Sequence, residues 1–403
     1  MDSPLDLAPA PQSRQAPQRP MTAAGNRGSL RPAVEVAETA AQAARLVAEW
    51  QDLAGRAAEP NPFYEPWCLL PALELFAGQE RIRVVFVRDT ASHGGDLIGV
   101  FPLVLRQRFY GLPLATLAAW RHPQMFLAAP LVDAGRAGLA WRLLLGWAHR
   151  AGARLIDLPD LPGDSPAMVP PAASVAMDGF ERRVLRRDPE GAEVYIAKAA
   201  TAKSRKSWRR QLRRLSEQGS LEPRALGRGD PAAAWIEDFL ALEAEGWKGR
   251  EGTAVVADPS ASAFFRRCCL AAAARGELHM AGLFLDGRPI ALQCNFLSAG
   301  GAGMAFKVAY DEAFARYSPG VLLELEAIRD LHGRDTFRWM DSCTGDGHAL
   351  MARLWRHDRR IERRLVAVSP LSGPTLLAAL KAVRRIRTGI RGARVRLAGG
   401  GGR

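Results

Sequence analysis

The stretch AFKVAYDEAFARYSPGVLLELEAIR, residues 305–329, decides how the chain is read. Its first part alternates as a strand, a polar loop follows, and Ser318-Pro319-Gly320 opens a helix predicted over Pro319–Leu331. Ser318 suits the N-cap, where a hydroxyl accepts a free backbone N–H, and Pro319 suits the first helical position, where no N–H is needed. Gly320 lets a ligand approach the backbone, and Arg316 adds a positive charge beside the exposed amides. A helix mouth built this way fits a diphosphate such as that of an acyl-coenzyme A. An ordinary capped helix uses the same residues.

Working outward, the flanking periodicity is that of a sheet. Leu278–Leu285, Pro289–Leu297 and Gly303–Val308 read as strands, with a tight turn at Asp286-Gly287-Arg288, and Thr336–Met340 follows the helix as a fourth strand. The first half runs in the same order. Arg81–Arg88 and Asp96–Leu105 are strands around Gly94-Gly95, an extended piece lies between Leu114 and Leu127, and a helix over Gly138–Arg150 leads into Leu155–Leu158. Asp157 and Asp341 fall just after the closing strand of each series. A β-β-β-α-β order occurring twice predicts a tandem duplication. Helices are expected at Glu65–Phe76, Ala232–Glu245 and Ser260–Arg275, and around Trp50.

The 403 residues are 48% apolar and 24% charged, enough for a large buried core and two domains. The net charge of +13 is local: residues 198–214 hold eight Lys/Arg and no acid, and residues 371–403 hold the same. The body between them is near neutral, which excludes a protein that coats nucleic acid with its whole surface. No apolar run is long enough to span a bilayer, and the start of the chain lacks the apolar core of a secretory signal. Five cysteines without a CxxC pair argue against a disulfide framework or a zinc ribbon, so a reducing cytoplasm is expected and no metal. Residues 1–32, with six prolines, are expected to be disordered.

Five segments carry a resemblance: LEAEGWKGREGTA (242–254), FFRRC (264–268), DGRPIALQCNFL (286–297), KVAYDEAFARYSPGVLLELEAI (307–328) and DSCTGDGHALMARLW (341–355). Together they resemble the CelD-type acetyltransferase-like family of the GNAT superfamily, related to the FemAB-type transferases that carry two GNAT folds in a row. The resemblance is densest over 235–368 and weaker over 34–160. It implies an α/β (mixed α+β) fold of two tandem GNAT-like domains, each a mixed, mostly antiparallel sheet flanked by helices. The expected division is 33–175 and 176–370, with 371–403 as a basic tail. The implied activity is acyl transfer from an acyl-CoA, usually acetyl-CoA, to an amine or hydroxyl, on a saccharide precursor in the family's case. The superfamily's pyrophosphate motif would fall on Arg316, Ser318, Gly320, Val321 and Leu322, with the glycine one place late.

Such a reaction needs a base, polarising amides and alignment of two substrates. Asp341, leaving the strand beside the proposed groove, is the first candidate base, and His348 the second. A turn aspartate and a helix-start histidine are the plainer readings. Glu243, Trp247 and Lys248 form the next group, with Glu243 and Trp247 four apart on one helical face as an acceptor-site wall. Lys307 either faces the diphosphate or pairs with Asp311. The patch at 198–214 predicts contact with an anionic acceptor, a coenzyme A phosphate or a tRNA backbone. The tail, 376–396, reads as a basic amphipathic helix for an anionic membrane surface or as a capping helix. Two alternatives stand beside acyl-CoA chemistry: a FemAB-like enzyme using aminoacyl-tRNA, and a silent scaffold for polysaccharide synthesis.

Overall fold

The computed structural model describes residues 32–92, 95–345 and 348–385. The segment 1–31, Gly94, and the end of the tail (386–403) lie outside the described residues. The strands are β1 (Val34–Ala37), β2 (Ile82–Asp89), β3 (Asp96–Arg106), β4 (Thr116–Ala119), β5 (Leu131–Val132), β6 (Leu155–Pro162) and β7 (Ser174–Arg186). They continue with β8 (Leu221–Ala225), β9 (Leu278–Leu285), β10 (Arg288–Leu297), β11 (Ala302–Tyr310), β12 (Trp339–Asp341) and β13 (His357–Ala367). The helices of the first half are α1 (Ala40–Ala44), α2 (Val47–Gly55), α3 (Pro66–Phe76) and α4 (Ala137–Arg150). Those of the second are α5 (Ala192–Ala199), α6 (Ala202–Ser216), α7 (Ala232–Glu245), α8 (Trp247–Arg250), α9 (Pro259–Arg275), α10 (Pro319–Gly333) and α11 (Ala349–Leu354).

All the strands join one sheet in the order β1-β2-β3-β4-β6-β13-β7-β12-β11-β10-β9-β8, with β5 attached to β3. Read from either edge, this order matches: β2, β3 and β4 answer to β9, β10 and β11, and β6 answers to β12. Each half therefore has an antiparallel series ending in one parallel pair after a crossover helix. This repeat is the tandem duplication that the β-β-β-α-β order predicts. The last strand of each half is exchanged: β7 leaves the first series to pair with β12, and β13 returns from the second to pair with β6. β7 and β13 also pair with each other through the centre.

Local chemistry accounts for the edges of these elements. Asp286 and Gly287 both have positive φ (51° and 80°), the geometry of a two-residue hairpin turn, so β9 and β10 come out in register. Asp258 caps α9 by accepting the Ser260 N–H at 2.8 Å, and Gly276 ends it in the left-handed region. β9 is buried along its whole length because helices cover both faces. Phe264 and Phe265 of α9 pack with Met280, Phe284, Phe296 and Phe306 on one side, and Leu322, Leu323 and Ala327 of α10 with Ala281, Leu283 and Ala291 on the other. Phe296 also meets Trp67 (5.2 Å) and Phe63 (6.4 Å), so aromatic packing joins the two halves of the body.

Gly301 closes the turn before β11 at φ 79°, and a Cβ there would lie 1.9 Å from Thr336 O. Gly301→Ala is expected to lose about 2 kcal/mol or more of stability, read as a lowered denaturant midpoint at unchanged slope. The tail departs from one expectation. Residues 373–385 are helical, and Leu377 and Leu380 are buried against Leu155, Met177 and Leu365. In the described part the apolar stripe thus caps the sheet and is not a free membrane face. The remainder of 376–396 lies outside the described residues.

Candidate active site

The second parallel pair positions the site. β11 and β12 pair only over Ala302–Met304 and Trp339–Asp341, after which β11 runs on to Tyr310 without β12 beside it. The opening wedge is a cavity of about 250 Å³, walled by α10, α11 and the loop after β12. Its polar lining is Lys248, Gln293, Asn295, Lys307, Glu324, Ser342, Thr344 and His348, set among Phe126, Phe306, Leu331, Met340 and Trp355. The matching wedge between β4 and β6 opens on a cavity of about 490 Å³. Its charges are mutually paired (Arg106 with Glu80, Arg121 with Asp160, Arg363 with Asp157), which leaves it little to offer a substrate.

Glu324 is the group that sequence reasoning missed. It projects from the second turn of α10 and is only 4% exposed. The Trp355 indole N–H donates to its Oε1 at 2.7 Å. Burial pushes its carboxyl up to about 7, with the indole hydrogen bond opposing. Lys307 also faces the cavity, its ammonium 5.1 Å from the Phe306 ring centroid. Burial lowers its pKa, the Glu243 carboxylate pulls the other way, and the Lys248 charge adds to the lowering. A carboxyl near neutrality and a desolvated amine thus share one cavity.

The raised carboxyl has a thermodynamic signature. The unfolded chain loses this proton near 4.5 and the folded chain near 7, so stability falls as pH rises between those values. The expected loss is on the order of 3 kcal/mol at most. Glu324→Gln should flatten that part of a Tm-against-pH curve, leaving the same-direction slope from Glu65, also raised to about 7 by burial.

The sequence candidates are distributed as follows. Asp341 is fully buried and does not face the cavity. Its Oδ1 accepts the Cys343 N–H at 2.7 Å and lies 3.5 Å from Arg182, and its Oδ2 lies 3.7 Å from Arg359. Enclosed by two guanidiniums, it is a positioning residue and not an accessible base. Asp157 has the same post in the first half, held at 2.6 and 2.7 Å by Arg363 of β13. Both aspartates tie a wedge to the exchanged central strands. Arg182 further donates to Thr344 O and Phe126 O, fixing two cavity walls.

His348 stands exposed at the cavity rim and caps α11 through Nδ1, 3.5 Å from the Met351 N–H. Glu243 is buried outside the cavity lining, with Oε1 on Lys248 (2.7 Å) and Oε2 accepting the Val255 N–H (2.8 Å). Trp247 and Glu243 do not share a helical face, because Gly246 breaks the chain into α7 and α8 with extended backbone. Trp247 is 43% exposed, whereas Lys248 reaches the cavity and donates to Val308 O at 3.3 Å. Lys307 does not pair with Asp311, whose partners are Arg288 and the Ala313 N–H.

The mouth of α10 also differs from expectation. Ser318 adopts the left-handed region (φ 56°) and its hydroxyl caps nothing; it receives the Gln211 amide at 3.0 Å. The Val321 and Leu322 N–H groups are spent on Ser318 O, and the Leu322 side chain is buried in the core. Gly320 is the open point: a Cβ there would meet nothing nearer than Tyr310 at 4.0 Å. Arg316, exposed, lies over the Tyr317 ring at 4.7 Å. This mouth fits a diphosphate in part, through the Gly320 backbone and Arg316. Among the described residues no cluster of His, Cys, Asp and Glu fits a metal ion, and no helix is long and apolar enough to cross a membrane.

Residues 202–349 match the family model described as an acetyltransferase (GNAT) domain. No curated protein matches the chain. Among solved structures, FemX is similar at 11% identity over 81% of this chain and 97% of its own, with a TM-score of 0.52. A tandem GNAT protein from the clavulanic acid biosynthesis pathway is similar at 16% identity (84% and 99% covered, TM-score 0.41). L-PGS from Bacillus licheniformis is similar at 10% identity (76% and 90% covered, TM-score 0.45). The matched residues span α6 to the start of α11 and supply both strands of the wedge, while Phe126, Leu350, Met351 and Trp355 of its lining fall outside them. What these comparisons show is a match to a GNAT acetyltransferase domain over residues 202–349 and, over most of the chain, the fold of FemX.

Proposed function

We propose that the β11–β12 wedge is the centre of acyl transfer from an acyl-CoA, acetyl-CoA first, to an amine or hydroxyl of a saccharide precursor. The observation that carries this reading is the cavity shared by Glu324 and Lys307 inside the family-matched domain. In the repeat scheme, 33–175 supports and 176–370 transfers. The donor's diphosphate rests at Gly320 and Arg316. The acceptor's lone pair attacks the thioester carbonyl carbon, the C–S bond breaks, and the thiolate leaves. Glu324 takes the acceptor's proton and returns it to the departing sulfur. Lys307 stabilises the negative charge that develops on the carbonyl oxygen. His348 guides the acceptor at the rim.

A second reading has its own support. The two amides spent on Ser318 O leave the α10 mouth poorer in donors than a full diphosphate site, which favours an aminoacyl-tRNA donor. Isothermal titration separates the two. Micromolar binding of acetyl-CoA, lost in Gly320→Asp, supports the first reading. Binding of aminoacyl-tRNA with none of any acyl thioester replaces it with the second.

A further inference from the structure

On the far side of α10 from the wedge lies a feature that the transfer chemistry does not use. α5, α6 and α10 enclose a groove of about 380 Å³. Its floor is apolar, formed by Ile196, Trp208, Leu212, Leu322 and Leu325, and Arg205, Arg209 and Arg329 stand around it. Arg329 is engaged by Glu193 and Glu326, and Arg205 donates to Ala197 O and Ala200 O. Arg209 makes no ion pair among the described residues, and it also lines the outer face of α6 beside Lys203, Lys206, Arg210 and Arg213. These five are exposed, and only Arg213 has a carboxylate near, Glu217 at 3.7 Å.

α6 is thus charged outward and apolar inward, with its apolar side forming one wall of an open slot. Surface cations repel one another, and among the described residues Lys203, Lys206, Arg209 and Arg210 have no ion pair to relieve them, the carboxylates of the groove, Glu193 and Glu326, being held by Arg329. An anionic partner would relieve them. The slot narrows the choice of partner. It offers aliphatic and indole surface but no side-chain amide or hydroxyl to read a base or a sugar. Phosphate at the cationic rim and hydrocarbon in the slot is the chemistry of a phospholipid. We propose that this face docks on an anionic phospholipid leaflet, with headgroup phosphates on Lys203, Lys206, Arg209 and Arg210 and an acyl chain or glycerol backbone in the groove. The proposal is independent of the donor assigned to the wedge. It moves membrane contact from the tail, whose described apolar stripe is buried, to α6.

Sedimentation of the full chain with vesicles tests it. Vesicles of equal parts phosphatidylglycerol and phosphatidylcholine should carry the protein down, and phosphatidylcholine vesicles should not. Each basic side chain near an anionic surface contributes roughly fivefold, so Lys203→Glu, Lys206→Glu, Arg209→Glu and Arg210→Glu together should weaken partitioning by roughly 600-fold or more. These side chains are exposed, and an unchanged circular dichroism spectrum and Tm would show that the fold is kept. Ala197→Trp, which fills the groove without changing charge, should leave low-salt binding in place and abolish the part that survives high salt. Equal sedimentation with both vesicle types, or no effect of the four reversals, would overturn the proposal. So would retention on RNA of matched phosphate concentration with none on vesicles.

Discussion

Glu324→Gln is expected to lower kcat by about 10²–10⁴-fold and to remove the acidic limb of the pH–rate profile. On the proposed mechanism, kcat/KM of the native chain is expected to rise with pH and level above about 7, because a base must be ionised to accept the acceptor's proton and burial raises the Glu324 carboxyl to about that value. Glutamine keeps the shape and the acceptor for the Trp355 indole but cannot take a proton. The variant should therefore fold, bind donor as before and, at alkaline pH, be at least as stable as the native chain, since no buried carboxylate is forced to ionise. A large loss of rate with donor affinity intact separates chemistry from architecture. Trp355→Phe tests the same residue from its other side. Removing the indole hydrogen bond lifts the carboxyl further, and the rising limb should move to higher pH. An unchanged profile in both variants would remove Glu324 from the reaction.

The second large effect is one of stability. Asp341→Ala is expected to cost about 3–5 kcal/mol, because it leaves the buried Arg182 without an ion-pair partner, whereas Arg359 keeps Glu59 and Asp164. The damage should extend to the wedge, since Arg182 anchors Thr344 and Phe126 in its wall. Asp341→Asn keeps the acceptor for the Cys343 N–H and should lose less. Asp157→Asn in the first half should be milder again, as its Arg363 partner keeps partial access to water. Chemical denaturation of the three variants checks the order. If Asp341 were the catalytic base, Asp341→Asn would abolish turnover at full stability. The geometry predicts lost stability, with turnover surviving in whatever fraction stays folded.

The sequence patterns that proved readable are those in which one chemical force dominates. The Leu278–Leu297 hairpin announced itself through apolar strands around Asp286-Gly287, and α7, α9 and α10 through helical periodicity with clear ends. β7 and β13 did not. Both carry runs of arginine (ERRVLR, RRIERR) with no apolar strand pattern, yet they form the centre of the sheet. Those arginines are drawn in by carboxylates from distant segments: Arg359 by Glu59 and Asp341, Arg363 by Asp157. No local pattern reports a partner that far along the chain.

The site shows the same division. Lys307 and His348 are legible as candidates because one lies on a recognisable strand and the other at the start of a recognisable helix. Glu324 is one of two glutamates in LLELEAI, and the helical period distinguishes them. Glu324 is four residues before Ile328 and seven before Leu331, so it lies on the buried stripe, whereas Glu326 lies on the face that meets Arg329. Asp341 misled in the opposite way. Its position after a strand is right for a base, but its surroundings, two arginines from β7 and β13, are set by the strand exchange. Gly246, which parts Trp247 from Glu243, could have been read as a helix stop.

The most direct test of the central claim is a crystal structure of the chain with a thioether analogue of acetyl-CoA. The account predicts the acetyl carbonyl in the wedge between β11 and β12, its oxygen toward Lys307, with a Glu324 oxygen within reach of the attacking position, about 3–4 Å away directly or through one water. An analogue ordered elsewhere, or a wedge that stays closed by Phe126, Phe306 and Trp355 while the analogue binds, would contradict it.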